Sequence, residues 1–79
     1  MQQLMPENAM THYRMDCYFK DPAAPDGVRC ESFAIKAEGD AQALREVRSA
    51  AIWRKPLHFR LREVMRHGDR LIHDSRKTG

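Results

Sequence analysis

Apolar and polar side chains alternate between Tyr13 and Phe19, and this alternation constrains the fold more than any other feature of the sequence. A period of two places every second residue on one face, which is the pattern of a strand buried on one side. The segment 21–27 that follows contains two prolines and ends in Asp-Gly, a combination typical of a hairpin loop. The sequence therefore predicts a β-hairpin.

The second strand of this hairpin is predicted from Val28 to Ala37, and its alternation changes phase. The apolar residues before Glu31-Ser32 occupy even positions, whereas those after it occupy odd positions. A β-bulge near Glu31-Ser32 would bring both sets to the core face. The pairs predicted with this bulge are Phe19 with Val28, Cys17 with Cys30, Met15 with Phe33 and Tyr13 with Ile35.

A helix is predicted to begin at Asp40, as its N-cap, and to continue to about Trp53 before Pro56 stops it. Its apolar positions form one stripe at helical spacing. Because only two of the five stripe residues are large, the helix can approach a sheet closely but buries little area. The stripe consists of Ala43, Leu44, Val47, Ala50 and Ala51.

Alternation returns after Pro56, with Leu57, Phe59 and Leu61 on one face. A tight turn is predicted at 66–69, and a short last strand at 71–73. The apolar residues around this turn fit no single register, so the phase of the second hairpin stays open. The predicted fold class is α+β: a ββαββ chain with a four-stranded antiparallel sheet and one helix packed on one face. The sequence does not fix the strand order.

The predicted domain organisation is one domain at 12–75, a mobile N-terminal tail at 1–11 and a frayed C-terminus at 76–79. No apolar stretch approaches the roughly 20 residues of a membrane span, and the first residues lack the features of a signal peptide. We therefore expect a cytoplasmic protein. The excess of arginine over lysine and the frequent alanine favour a bacterial source.

The two cysteines are too few for a disulfide framework. As predicted cross-strand neighbours, Cys17 and Cys30 could form a disulfide or a metal-binding thiol pair. Buried, reduced thiols are the favoured interpretation because free cysteine is commonly buried. The four histidines lack metal-ligand spacing, so no metal site and no cofactor are predicted.

The sequence favours a protein that is not an enzyme. His73-Asp74-Ser75 contains the residue types of a hydrolase triad, but neighbours on a strand point to opposite faces and cannot form its relay. We find no glycine-rich phosphate loop and no nucleophile elbow. A chain of 79 residues also leaves little room for a ligand pocket, and no small-molecule substrate is evident.

Charge is distributed unevenly along the chain. Residues 1–40 contain four Lys/Arg against seven Asp/Glu, whereas 41–79 contain ten against four. Several of these cations are predicted on the outer face of the sheet or at its second turn, near an aromatic side chain, which suits phosphate contacts and base stacking. The predicted nucleic-acid-binding residues are Arg60, Arg62, Arg66, Arg70 and Tyr18.

One helix does not cover a four-stranded sheet. At about 4.8 Å per strand the sheet is about 19 Å wide, whereas a helix is only about 10–12 Å wide. Ile52 and Trp53 lie away from the helix stripe, which indicates a self-association surface; alternatively, the helix unwinds before Pro56 and folds Trp53 over the sheet. The sequence predicts a protein-interaction module that forms a homodimer, with nucleic-acid binding as the alternative.

Overall fold

A computed structural model of the chain describes residues 10–76. The four strands form one antiparallel sheet in which the first strand in the chain lies between the second and the third, and the fourth lies outside the third; this confirms the predicted ββαββ fold. The predicted tail at 1–11 lies outside the described residues except for Met10 and Thr11, and so do residues 77–79 of the predicted frayed C-terminus. The elements are β1 (Thr11–Lys20), β2 (Val28–Ala37), α1 (Asp40–Arg54), β3 (His58–Glu63) and β4 (Arg70–Asp74).

The first hairpin is regular, and the predicted bulge near Glu31-Ser32 is wrong. One register runs from Thr11 opposite Ala37 to Lys20 opposite Val28. The loop maintains this register, because the Asp21 N–H donates to the Gly27 carbonyl at 2.8 Å. The predicted pairs Met15–Phe33 and Tyr13–Ile35 are confirmed, but Phe19 faces Arg29 and Cys17 faces Glu31.

Two polar side chains near the start of β2 lie on the helix side of the sheet, so no bulge is needed to turn them to the outer face. Arg29 and Glu31 share the helix-side face with Phe33, yet they pair with each other, Nε to Oε2, at 2.9 Å. The Arg29 guanidinium also lies 4.9 Å from the centre of the Phe19 ring. Since α1 buries little of this end of the face, the two charged groups remain at the surface and incur no large desolvation cost.

The second hairpin contains the irregularity instead. Leu61 pairs with His73 and Arg62 pairs with Leu71, so Ile72 is the extra residue of a bulge in β4. This bulge lets Ile72 pack against the core while Leu71 stays exposed. The bulge accounts for the absence of a single register in the sequence of this hairpin.

The N-cap of the helix lies one residue before its predicted position. Gly39 is the N-cap, and Asp40 is the first helical residue rather than the cap. Its carboxylate instead accepts hydrogen bonds from the Tyr13 hydroxyl at 2.8 Å and from Arg70 Nη2 at 3.0 and 3.1 Å. The last helical residue is Arg54, and Lys55 follows in the left-handed region with φ 55°.

A thin core lies between α1 and the central strands. The helix contributes only two fully buried residues, Ala43 and Val47, and the remaining stripe residues pack against them partly exposed. The largest fully buried side chains include Met15 of β1 and Leu61 of β3. Among residues 10–76, no helix combines the length and the apolar character that crossing a membrane requires.

Candidate interaction surfaces

Large apolar side chains at the end of α1 face solvent. Ile52 is 71% exposed and Trp53 is 83% exposed, as their positions away from the helix stripe predict. Leu57, which the sequence places in the same alternation as the core residues of β3, is 60% exposed. It precedes the first residue of β3, and its N–H donates to the Tyr18 carbonyl at 2.7 Å. We call Ile52, Trp53 and Leu57 the helix-end patch.

The α1 part of the helix-end patch lies near the edge of the sheet. The Arg54 guanidinium sits 3.9 Å from the centre of the Phe33 ring, so the last turn of α1 reaches over β2. Phe33 itself is only half-buried and belongs to an outermost strand. The alternative in which the helix unwinds and Trp53 covers the sheet is therefore wrong: α1 is helical to Arg54, and Trp53 points into solvent.

The outer face of the sheet, opposite α1, contains two buried carboxylates. Asp16 is 4% exposed and Asp74 is 5% exposed. Asp16 accepts a hydrogen bond from the Ser32 hydroxyl at 2.6 Å and lies 3.5 Å from Arg62 Nε. Asp74 lies 3.2 Å from Arg60 Nε. Each buried acid is thus neutralised by arginines, as burial of a charge requires.

Further arginines complete these two groups. Arg14 Nε lies 3.2 Å from Asp16 Oδ1 without aligned hydrogen-bond geometry, and Arg14 Nη2 reaches Asp69 of the second turn at 3.2 Å. Arg76 contacts Asp74 through its backbone N–H at 3.0 Å and its guanidinium at 3.3 Å. These bonds, with Arg76 the largest contributor, hold the pKa of Asp74 well below its ordinary value.

Tyr18 and His58 form a stacked pair on the same outer face. Their ring centres are 4.3 Å apart with planes inclined by 12°. Arg60 lies 5.7 Å from the Tyr18 ring centre. Burial raises the pKa of Tyr18, and burial also lowers the pKa of His58, whose second cause is the nearby Arg76 charge. His58 is therefore favoured in its neutral form at neutral pH.

The structure brings together three of the five predicted nucleic-acid-binding residues. Arg60, Arg62 and Tyr18 share the outer face of the sheet. Arg70 does not join them, because its guanidinium bonds Glu63 and Asp40 on the helix side. Arg66 lies exposed in the second turn. Strand alternation correctly predicted that Arg60, Arg62 and Tyr18 share this face. The position of Arg70 could not be predicted in this way, because it depends on where the fold places Asp40.

A groove of about 310 Å³ lies on the outer face beside β2. Ser32 and Ala34 contribute small side chains to it, and His12, Arg14 and Val64 are among the other lining residues. Sequence reasoning missed this groove. The sequence pattern that could have indicated the groove is a pair of small residues at successive outer-face positions of β2, next to longer side chains on β1.

Cys17 and Cys30 are both free and are not cross-strand neighbours, so the favoured interpretation of buried thiols is right for Cys17 and wrong for Cys30. Cys17 lies buried on the helix side, whereas Cys30 lies exposed on the outer face opposite Tyr18. Burial raises the pKa of the Cys17 thiol, so its reactive thiolate is disfavoured. Within residues 10–76, no three His, Cys, Asp or Glu side chains are grouped as a metal site requires.

Comparisons with protein-family models, with curated proteins and with solved structures find no match to this chain.

Proposed function

We propose that this chain is a small, non-catalytic protein-interaction module that self-associates through the helix-end patch. The observation that carries the proposal is the exposure of Ile52, Trp53 and Leu57 within six consecutive residues. Single exposed apolar residues are normal on protein surfaces. An exposed tryptophan with two large exposed aliphatic residues close to it in the sequence is different, because tryptophan is among the residues that contribute most to binding energy at interfaces.

The thin core supports the same proposal. Only Ala43 and Val47 of α1 are fully buried, so the helix covers the sheet with little apolar area. Phe19, Phe33 and Ile35 on the same side of the sheet remain partly exposed. Small domains commonly obtain additional stability from a second subunit. A second copy covering this side would remove both the patch and these side chains from water.

The only tryptophan of the chain provides a direct test. Sedimentation equilibrium measures association over a range of concentrations, and Trp53 emission reports whether its indole leaves water. We expect a concentration-dependent dimer whose Trp53 emission shifts to shorter wavelength as it forms. A monomer at all concentrations, or a dimer with unchanged emission, would contradict self-association through this patch.

Matched variants locate the surface. We expect Ile52→Gln and Leu57→Gln to weaken association while leaving the secondary structure unchanged. Met65→Gln is the control, because Met65 is also a large exposed apolar residue but lies in the second turn. Equal weakening by all three variants would show that general surface hydrophobicity, rather than the helix-end patch, drives association.

Nucleic-acid binding by the outer face is the second candidate function. Its support is that Asp16 and Asp74 contact Arg62 and Arg60 through Nε, while both arginine side chains keep about 30% of their area exposed, 31% and 29%. The terminal nitrogens of a guanidinium held in this way are the atoms that a phosphate would approach. The Tyr18–His58 stack lies beside them.

Salt dependence tests this second candidate. We expect affinity for a short single-stranded RNA to fall steeply with salt and to fall in the double variant Arg60→Gln/Arg62→Gln. The variant Arg45→Gln/Arg48→Gln makes the same charge change on exposed positions of α1 and serves as the control. Equal losses in both double variants would indicate a general charge effect and reject a site on the outer face.

A further inference from the structure

The two edges of the sheet are protected to different extents. β4 has five residues and contains the bulge at Ile72, and shortness and bulges both discourage another strand from pairing with an edge. β2 has ten residues, pairs with β1 at every position, and contains neither proline nor a bulge. The edge of β2 is therefore a long, regular template for strand addition.

The backbone of β2 shows which groups an added strand would meet. The bond from the Asp21 N–H to the Gly27 carbonyl places odd-numbered residues at the hydrogen-bonded positions of the β1–β2 ladder. Hydrogen-bonding direction alternates along an antiparallel strand. The N–H and C=O groups of Cys30, Ser32 and Ala34 therefore point away from β1 toward the open edge.

Side chains along this edge leave the approach clear. Ser32 and Ala34 are small and exposed, and they border the 310 Å³ groove on the outer face. On the helix side, Phe33 is half-buried beneath Arg54, in the last turn of α1. Arg54 directly follows Trp53, so the α1 part of the helix-end patch lies next to the edge of β2, which is the continuity that one interface needs.

We propose that the occupant of this edge is a second copy of the chain, which adds its own β2 antiparallel to form a continuous eight-stranded sheet. This inference rests on the proposed self-association and specifies its geometry. A two-fold axis makes the edge complementary to itself. In the register we propose, Phe33 lies opposite the partner's Phe33, and Ser32 lies opposite the partner's Ala34.

Charge and side-chain pairing select this register among those that the backbone allows. It places Glu31 opposite the partner's Ile35 and Arg29 opposite the partner's Ala37, so no like charges of the two β2 strands lie directly opposite each other. Moving the axis two residues toward the N-terminus would place Glu31 opposite the partner's Glu31, and directly opposed like charges destabilise a sheet. Moving it one residue toward the N-terminus would place Glu31 opposite the partner's Phe33. Moving it one residue toward the C-terminus would separate the two Phe33 rings and shorten the overlap of the two β2 strands from nine residues to seven.

Ala34→Pro tests the proposal with little disturbance of the monomer. The N–H of Ala34 faces outward, so proline removes no hydrogen bond to β1, and edge strands accept proline at such positions. Ala34→Ser is the matched control, since it keeps the N–H and the small side chain. By sedimentation equilibrium we expect the dimer dissociation constant to rise at least about tenfold in Ala34→Pro, because the two-fold axis removes the outward hydrogen bond of Ala34 from both copies. We expect it to change little in Ala34→Ser.

Hydrogen exchange of the unmodified chain keeps the proposal testable if Ala34→Pro fails to fold. The amides of Cys30, Ser32 and Ala34 should be protected at concentrations where the chain is dimeric and should exchange quickly on dilution. The amides of Glu31 and Phe33, which bond to β1, should be protected in both conditions. Unprotected outward amides in a dimeric sample would overturn strand addition and leave the proposed self-association intact, whereas a monomer at every concentration would overturn both.

Discussion

The two hairpins of this sheet are stabilised in different ways. The first contains ten consecutive pairs between β1 and β2 and a loop whose backbone bonds continue the ladder. The second contains four pairs interrupted by a bulge, and side chains supply much of its cross-strand bonding. Examples are Arg60 with Asp74, Arg70 with Glu63, and the Phe59 N–H with the Ser75 hydroxyl.

This difference has a consequence for function. A regular ladder leaves a regular edge, so the first hairpin exposes a strand that another strand can extend. The bulged second hairpin makes a poor template, because its outer strand β4 is short and irregular. Arg70, the first residue of β4, also forms hydrogen bonds to the carboxylates of Asp40 and Glu63. The same physical property, regularity of hydrogen bonding, therefore separates the edge that we propose to interact from the protected edge.

The largest expected effect is at the centre of the sheet rather than in either edge strand. Leu61 of β3 is fully buried, so Leu61→Ala should lower the free energy of unfolding by about 2–5 kcal/mol. Phe33→Ala on β2 removes a larger side chain, but that side chain is only half-buried and the effect should be smaller. Urea denaturation followed by circular dichroism measures both. An equal or larger loss from Phe33→Ala would show that β2 belongs to the stabilising core.

The next prediction concerns the ion pairs of the second hairpin. The pKa of Asp74 lies well below the ordinary 3.8, chiefly through the hydrogen bond from the Arg76 side chain. At neutral pH the folded chain gains stability from this carboxylate. The unfolded chain takes up the proton first as pH falls, so that stability is lost from about pH 5 downward.

Asp74→Asn isolates this contribution. The variant should be less stable than the unmodified chain at pH 7, and the difference should narrow as pH falls toward 3. Urea midpoints at a series of pH values measure it. Asp40, whose pKa is lowered first by the Tyr13 hydroxyl and then by Arg70, is present in both chains and cancels. A difference that stays constant with pH would mean that the charge of Asp74 does not stabilise the hairpin.

The sequence predicted the positions of the elements well. The boundaries of β2 and the stripe of α1 agree with the structure. The predicted bulge was wrong because apolar alternation alone cannot show that Arg29 and Glu31 can lie on the helix side of the sheet. They do so because they form an ion pair at a part of that face which stays exposed. The real bulge at Ile72 depends on which residues of two short segments meet across the turn, and these segments are too short to show a period.

The candidate surfaces were predictable to different degrees. Ile52 and Trp53 could be identified because helical spacing alone places them away from the stripe. Leu57 was missed because it continues the alternation of β3 by one residue although the strand itself begins at His58. Burial of Asp16 depends on Arg62, forty-six positions later, and strand order decides whether they meet. Such pairings are beyond what spacing along the chain can show.

The two turns provide a comparison of smaller effects. Gly27 closes the first hairpin with φ 79°, and Gly68 lies in the second turn with φ 122°. A Cβ would contact nothing within 4 Å at either position, so the cost of alanine comes from the backbone alone. The value at Gly68 lies further from the left-handed region that other residues can adopt.

We therefore expect Gly68→Ala to cost about 1–3 kcal/mol and Gly27→Ala about 1 kcal/mol. Urea denaturation of the two variants, each beside the unmodified chain, measures the difference. Equal costs would mean that the second turn relaxes to a less strained backbone, which would place the rigidity of that hairpin in its ion pairs rather than in its turn.

The smallest expected effect is at the edge of β2. Arg29 and Glu31 form an ion pair at 2.9 Å with both side chains more than 40% exposed, at 48% and 41%. Exposed pairs of this kind contribute about 0–1 kcal/mol, since water screens the attraction and holding two long side chains costs entropy. Glu31→Gln should therefore change monomer stability by less than about 0.5 kcal/mol, measured at a concentration below association. In the proposed dimer Glu31 lies opposite the partner's Ile35, so removing its charge should tighten association while leaving the monomer nearly unchanged. An effect on monomer stability as large as that of Gly27→Ala would mean that this ion pair fixes the register of the first hairpin. Side-chain ion pairs would then stabilise both hairpins, and the contrast between a first hairpin stabilised by backbone hydrogen bonds and a second stabilised by ion pairs would be wrong.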